Sequence, residues 1–475
     1  MNIFNLRPKE FQIVGILLSM FFSISVASIT GATVRDAIFL IEFNKTYLSI
    51  MYVVIAITIT FIIEAYKKLI TKKSQYALMT AFNVFFIISL LLFHFNLKGW
   101  AIPLFYIWIE IITVITILQF WMLCGNLLNT RQAKRIFPII TAGGSLAAIS
   151  TGFLMKPFVN EYGTDNLILL TILSLLFTLF TLQILKPYLR VTNDNDKESS
   201  RNKKSQSNNL SNSYLKYIGM MVACGAFITK IIDYQFKVMA ANTFPEQNSL
   251  VSFFATYYIY TGAATLLMQS ILTGFILTRF GILAGLLILP TAIMFGSTGF
   301  LILGSISAVF ILKFSDQVFK FSVNNSVKEI LWLPVKTIKK NSAKPMIDGS
   351  LKSIIEGFSG ATIFLLVFFN LIPDTKIYLL SFIVIPFAFY WCWNSFKIKK
   401  GYLSEIIKSI DNRHLDLNEI EFDINDSNTI KALNSALESG DDFKKLFAIN
   451  LLHDLPTFPF KENIRKQLYD GSQEI

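Results

Sequence analysis

The residues of this chain whose types and spacing could do chemistry are charged side chains set inside long apolar runs. Arg35 and Asp36 close the first such run, and Glu110 sits within FYIWIEIITVI. Lys230, Asp233 and Lys237 belong to KIIDYQFK, and Lys313, Asp316 and Lys320 to KFSDQVFK. The last two segments share a Lys, an Asp three residues on and a second Lys seven residues on, which share one face of a helix. A plus-minus-plus stripe of this kind keeps part of its positive charge when empty and attracts an anion. The plainer use of the same stripe is salt bridging that holds helices together. Neither use makes or breaks a covalent bond. Cys124, Cys224 and Cys392 are scattered with no CxxC spacing, the three histidines form no metal-ligand pattern, and no G-x-x-x-x-G-K-[ST] loop occurs. No nucleophile–base pair stands out, so the expectations are no catalytic residue, no metal, no cofactor and no ATP hydrolysis.

The elements that must position these charges are helices in a lipid solvent. Of 475 residues, 53% are hydrophobic and only 16% charged, where a soluble protein of this size would carry nearer a quarter charged. A spanning helix needs ~20 mostly apolar residues. Apolar runs predict spans near 11–33, 46–65, 76–95, 102–124, 138–155 and 167–186, then near 214–240, 250–278, 282–302, 304–325, 349–371 and 376–396. That is an all-α polytopic membrane protein of about twelve helices in a six-plus-six arrangement. The polar stretch between the sets reads as a linker. The domains expected are therefore 1–190, a linker 191–213, a second half 214–397 and a helical tail 398–475. Arg7 and Lys9 before the first apolar run resemble a signal peptide, but no small-x-small cleavage site follows and the run reads as a retained helix.

Charge in the loops sets the orientation. Lys67, Lys68, Lys72 and Lys73, then Arg131, Lys134 and Arg135, then the linker, then Lys336, Lys339, Lys340 and Lys344 all fall on one side with both termini, while alternate loops hold few basic residues. The positive-inside rule makes that side cytoplasmic and explains the net charge of +12 without nucleic acid. The Gly- and Ser-rich TAGGSLAAISTG at 141–152 lies within a span and suits close helix packing rather than phosphate binding. After Lys400 a helical pair broken near Gly440 reads either as an amphipathic tail or as the start of a stacked helical repeat, a surface for a protein partner.

The charged runs one, four, seven and ten are the first helices of four three-helix units. Carriers of the major facilitator type are built from such nested repeats, with the substrate at the midplane between halves. The motifs also resemble a family, the bacterial and plastid-type ATP/ADP translocases. VRDAIFLIEF at 34–43 matches its first-span basic-Asp motif, and FYIWIEI at 105–111, QFW at 119–121 and AKRIFP at 133–138 match its fourth-span pattern. Asp233, Phe236 and Lys237 match an acidic-aromatic-Lys set in the seventh span. VKEILWLPVKTIKKNSAKPMIDG at 327–349 is similar to the family's segment after span ten, which brings in Lys328, Glu329, Pro334, Lys344 and Asp348. Arg35 stands where the energy-parasite translocases have Lys, Asp233 where they have Glu, and Ser342-Ala343 where they have Lys-Gly. These departures place the chain nearer a divergent bacterial branch, in which some members carry cytoplasmic helical repeats.

The resemblance implies a nucleotide carrier of a bacterial inner membrane that exchanges ATP and ADP by alternating access. Arg35, Lys230, Lys237, Lys320 and Lys328 become candidates for phosphate contacts, since Arg and Lys pair well with phosphate oxygens. Glu110, Asp233 and Asp316 would be counter-charges that change partners, and Asp36 and Glu329 accompany them in the matching motifs. The expected partners are a nucleotide or another polyanion and membrane lipid. The alternatives are another organic anion or lipid on the same fold, or a membrane anchor that acts through its tail.

Overall fold

A computed structural model describes residues 10–70, 74–128, 130–193, 213–335 and 337–411. Most of the expected linker and the tail beyond Asp411, with its suggested repeat, lie outside the described residues. Helices α1 Phe11–Glu42, α2 Tyr47–Ile70, α3 Gln75–Asn96, α4 Ala101–Leu127, α5 Thr130–Tyr162 and α6 Leu167–Asn193 come first. After the linker come α7 Ser213–Thr243, α8 Gln247–Leu267, α9 Thr273–Leu303, α10 Ile306–Phe319, α11 Asn325–Leu331, α12 Thr337–Pro345, α13 Lys352–Phe368 and α14 Ser381–Asp411. No strand occurs among the described residues. Lipid supplies no hydrogen-bond partner, so the backbone of each span must satisfy itself, which helices do.

Ten stretches among the described residues are long and apolar enough to cross a membrane. One of them, Gln247–Leu303, has 57 residues, or about 85 Å of helix against a hydrocarbon core of about 30 Å. Gly281 breaks it, with φ 74° and ψ −179°, a backbone conformation open essentially to glycine alone. The break falls between the spans expected to end at 278 and begin at 282. The run Ile306–Leu331 is not among the ten, because its charged side chains interrupt the apolar window. A total of twelve spans follows if the broken run counts as two and Ile306–Leu331 as one. Three π turns, Met268–Leu272, Lys320–Asn324 and Met346–Leu351, widen the helices of the second set.

Within the first set, α1 packs on α4, α5 and α6, and within the second, α7 packs on α10, α13 and α14. The sets meet along two main seams, α5 against α8 and α2 against α13. Small residues let these backbones approach. A Cβ on Gly152 would lie 2.6 Å from the Ala255 carbonyl and from Ile259, and one on Gly262 would lie 2.9 Å from Ala148 and the Ser145 carbonyl. On the other seam, Gly357 faces Ala56 and Gly360 faces the Ser49 carbonyl and Tyr52. The glycine-rich run at 141–152 is thus packing, as its place in a span suggests. Replacing Gly152 with Val should destabilise the fold by about 1–3 kcal/mol, because the opposing atom is backbone and cannot turn aside. Thermal unfolding in detergent checks this, with Gly15→Ala, whose added Cβ meets nothing within 4 Å, expected to unfold no earlier than the parent.

Candidate functional site

Arg35 and Asp36 do not end the first helix as its apolar run suggests. Ala37, Ile38, Phe39 and Leu40 follow as buried apolar residues, and α1 continues to Glu42. The two charges are therefore held inside the packed protein, 8% and 6% exposed. The Arg35 guanidinium donates to Glu110 of α4, lies 3.5 Å from Asp36 and rests 4.7 Å from the centre of the Tyr106 ring. Asp36 Oδ2 is 3.0 Å from Lys237 Nζ of α7, and Lys237 is 2.9 Å from Asp233 Oδ2 one turn back. Asp233 Oδ1 accepts from Lys313 Nζ of α10 at 2.8 Å, and Oδ2 accepts from the Tyr52 hydroxyl of α2 at 2.8 Å. Lys313 also lies 4.0 Å from Asp316, which is fully buried and accepts from Thr229 at 3.1 Å.

An unbroken series of opposite charges thus runs Glu110, Arg35, Asp36, Lys237, Asp233, Lys313, Asp316. It contains four carboxylates and three cations, a net charge of −1. The two stripes, each expected to keep spare positive charge, are merged here. Each gives one lysine to the series, and both lysines share Asp233.

This layer lies near one end of the bundle. Asp36 and Lys237 stand six residues before the ends of α1 and α7, and Lys313 stands seven after the start of α10, about 10 Å along each helix. The same end carries further polar links between the helix sets. Lys45 donates to Asn242, Thr164 to Asn248 at 2.8 Å, and Gln247 to Glu42 at 3.5 Å. Toward the opposite end Gln269 donates to Thr141 on the α5–α8 seam, at 2.7 Å.

The remaining expected residues make no ion pair within this series among the described residues, although Lys230 borders it, its ammonium 5.0 Å from the centre of the Tyr52 ring. Lys230 sits 3.6 Å from Glu356 of α13, and Lys320 makes no ion pair among the described residues, its ammonium lying 5.8 Å from the Phe321 ring. Lys328 and Glu329 are further still, in α11, paired with Asp348 at 3.4 Å and with Lys344 at 2.6 Å. Tyr52, Tyr106, Lys352 and Glu356 were not singled out from the sequence, and Lys313 was noted without a role. Glu356 did carry a signal, as a lone acid in SIIEGFSGATIFLL. Tyr52, one of 17 tyrosines, carried none.

Breaking a buried pair leaves a bare charge, whereas replacing both partners with apolar groups removes the penalty. Arg35→Met should therefore cost about 3–5 kcal/mol, by stranding Glu110, and adding Glu110→Leu should restore most of it. Denaturation of the single and double variants in detergent decides this.

The family model described as "TLC ATP/ADP transporter" matches residues 95–402. ADP,ATP carrier protein 3 of Rickettsia typhi is 22% identical over 359 residues, which cover 64% of this chain and 71% of that protein. ADP,ATP carrier protein 1 of Chlamydia pneumoniae is 20% identical over 300 residues, covering 53% of this chain and 58% of that one. Among solved structures, the nucleoside transporter NupG superposes with a TM-score of 0.56 at 16% identity, over 85% of this chain and 99% of that one. At that identity the likeness is one of fold, that of carriers of the major facilitator type. With well over half its length matched, the chain belongs to the TLC ATP/ADP transporter family.

Proposed function

We propose that this chain exchanges ATP for ADP across a bacterial inner membrane by alternating access, as a carrier and not an enzyme. The observation that carries the reading is the buried charge series that links α1, α4, α7 and α10 and crosses between the two helix sets at Asp36–Lys237. Support comes also from the names of the family and of its members, which are ADP,ATP carriers. Residues 1–190 and 214–397 act as the two halves, joined by the linker 191–213. With both termini cytoplasmic, the latched end faces outward and substrate enters from the cytoplasmic side.

A phosphate chain offers Arg35, Lys237 and Lys313 oxygens that can replace those of Glu110, Asp36 and Asp233. Charge-assisted bonds to phosphate are strong and short, so the replacement loses little energy while it undoes the pairs that hold the latched end shut. Reorientation of an empty carrier would require breaking those pairs with nothing in exchange, which couples each crossing to a bound anion. Alternating access then follows from differential affinity of the anion for the two arrangements.

Proteoliposomes holding the full chain should take up labelled ATP when loaded with ADP and take up little when empty. Uptake that ignores internal ADP would overturn the exchange reading and favour another anion or another coupling. Lys237→Ala should lower exchange at least tenfold, since it removes the cation that joins the two halves; an unchanged rate in a folded variant would count against the gate role.

A further inference from the structure

Helix α7 runs toward the latched end and α10 runs away from it, so their two charge stripes oppose one another head to tail. Lys237 and Lys313 meet in the latched layer. Lys230 and Lys320 lie seven residues along their helices from those two lysines, about 10 Å nearer the opposite end, and three and four residues from Asp233 and Asp316. At this second level α13 adds Lys352 and Glu356, one turn apart on a helix seated closely on α2 through Gly357 and Gly360. Lys230 and Lys352 approach Glu356 at 3.6 and 3.8 Å, too far for hydrogen bonds. Lys320 lies within electrostatic range of Asp316 first, then of Lys352, Lys313 and Glu356, without an ion pair of its own among the described residues. Three cations here gather round Glu356, and the other carboxylates in electrostatic range of Lys230 and Lys320, namely Glu110, Asp233 and Asp316, belong to the latched series.

Like charges gathered in a partly desolvated place repel unless an anion joins them. The cations of the second level are more open than the two lysines of the latched layer, whose acids Glu110 and Asp233 are themselves 22% and 19% exposed. Side chains of Lys230, Glu356 and Lys352 are 20%, 26% and 47% exposed, against 9% for Lys313 and 10% for Lys237. Lys320 opens the π turn Lys320–Asn324, a local widening that helices often place at functional sites.

We propose that Lys230, Lys320 and Lys352 form the docking site for the phosphate chain of the substrate, with Glu356 as the resident counter-anion that the phosphate displaces. The long Glu356 pairs are the ones an arriving anion can break, whereas the pairs near 2.9 Å in the latched layer hold until the substrate is already seated. Once displaced, Glu356 stands beside the bound phosphates and repels them, which favours release. The proposal deepens the exchange reading and rests on it for the nucleotide, while the phosphate site itself stands on the geometry and charge of these four residues.

The test uses the purified full chain in detergent and calorimetric binding of inorganic tripolyphosphate and of ATP, alongside proteoliposome exchange. Lys320→Gln and Lys352→Gln should each weaken tripolyphosphate and ATP by about tenfold, with thermal midpoints close to the parent. Glu356→Gln should do the reverse and tighten tripolyphosphate several-fold while slowing exchange, a sign that mere loss of structure would not produce. Unchanged tripolyphosphate affinity in both lysine variants, or weaker binding in Glu356→Gln, would overturn the site. Parent protein that exchanges ATP for ADP while the lysine variants bind and exchange normally sinks the docking site and leaves the exchange reading standing. Parent protein that binds tripolyphosphate through these lysines but exchanges no nucleotide does the opposite.

Discussion

The structure depends on one carboxylate. Asp233 lies in a membrane-spanning helix, where an unpaired charge costs several kcal/mol, and it is held by Lys237 at 2.9 Å, Lys313 at 2.8 Å and the Tyr52 hydroxyl at 2.8 Å. Those three partners come from α7, α10 and α2, so satisfying one aspartate fixes the mutual position of three helices from both sets. Lys237 carries the constraint on to Asp36 of α1, and Arg35 carries it to Glu110 of α4. The glycine seams serve the same need. Helices α2 and α13 approach closely at Gly357 and Gly360, which places Tyr52 on one side of the seam and Glu356 on the other.

The pairs divide by what they join. Arg35–Glu110 links α1 to α4 within the first set, and Asp233–Lys313 links α7 to α10 within the second, with the polarity of the helices reversed. These internal pairs can persist while the sets move relative to one another. Asp36–Lys237 and Tyr52–Asp233 cross between the sets and must part if the latched end opens. An opening motion therefore strands a cation of one half and an acid of the other, and the internal partners of each are what keep that cost finite. A carrier that put all its charge into crossing pairs would be locked, and one without crossing pairs would leak.

Much of this was legible in the sequence, for reasons particular to membranes. Apolar length marks a span regardless of what packs on it, so span limits such as 278/282 agree with the break at Gly281. Intramembrane charge is costly enough that Arg35, Glu110, Lys230, Asp233, Lys237, Lys313 and Asp316 could be found by their setting alone. Partner choice was not legible. The stripes on α7 and α10 read as two copies of one motif, but their opposed directions make Lys237 the neighbour of Lys313 and leave Lys230 and Lys320 at another level. Lys328 and Glu329 entered through a family motif, and in the fold they pair with Asp348 and Lys344 beyond the charge series. Tyr52 could not have been chosen, since its value comes from a contact across 181 residues of sequence.

The distribution of charge bears on how such a site could release what it binds. Counting both levels, six cations, Arg35, Lys230, Lys237, Lys313, Lys320 and Lys352, face five acids, Asp36, Glu110, Asp233, Asp316 and Glu356, so the whole site is nearly neutral. A polyanion entering it is drawn by the local excess at one level and not by a large net field. It then finds every further cation already held by a carboxylate, and each bond it gains there is one a carboxylate loses. Binding in that regime is an exchange of partners with a small net change. A strongly positive cavity would bind the same anion far more tightly, and would hold it through each reorientation. Near neutrality keeps affinity modest and makes the loaded arrangement reversible from either side, which is what a carrier of an abundant polyanion requires.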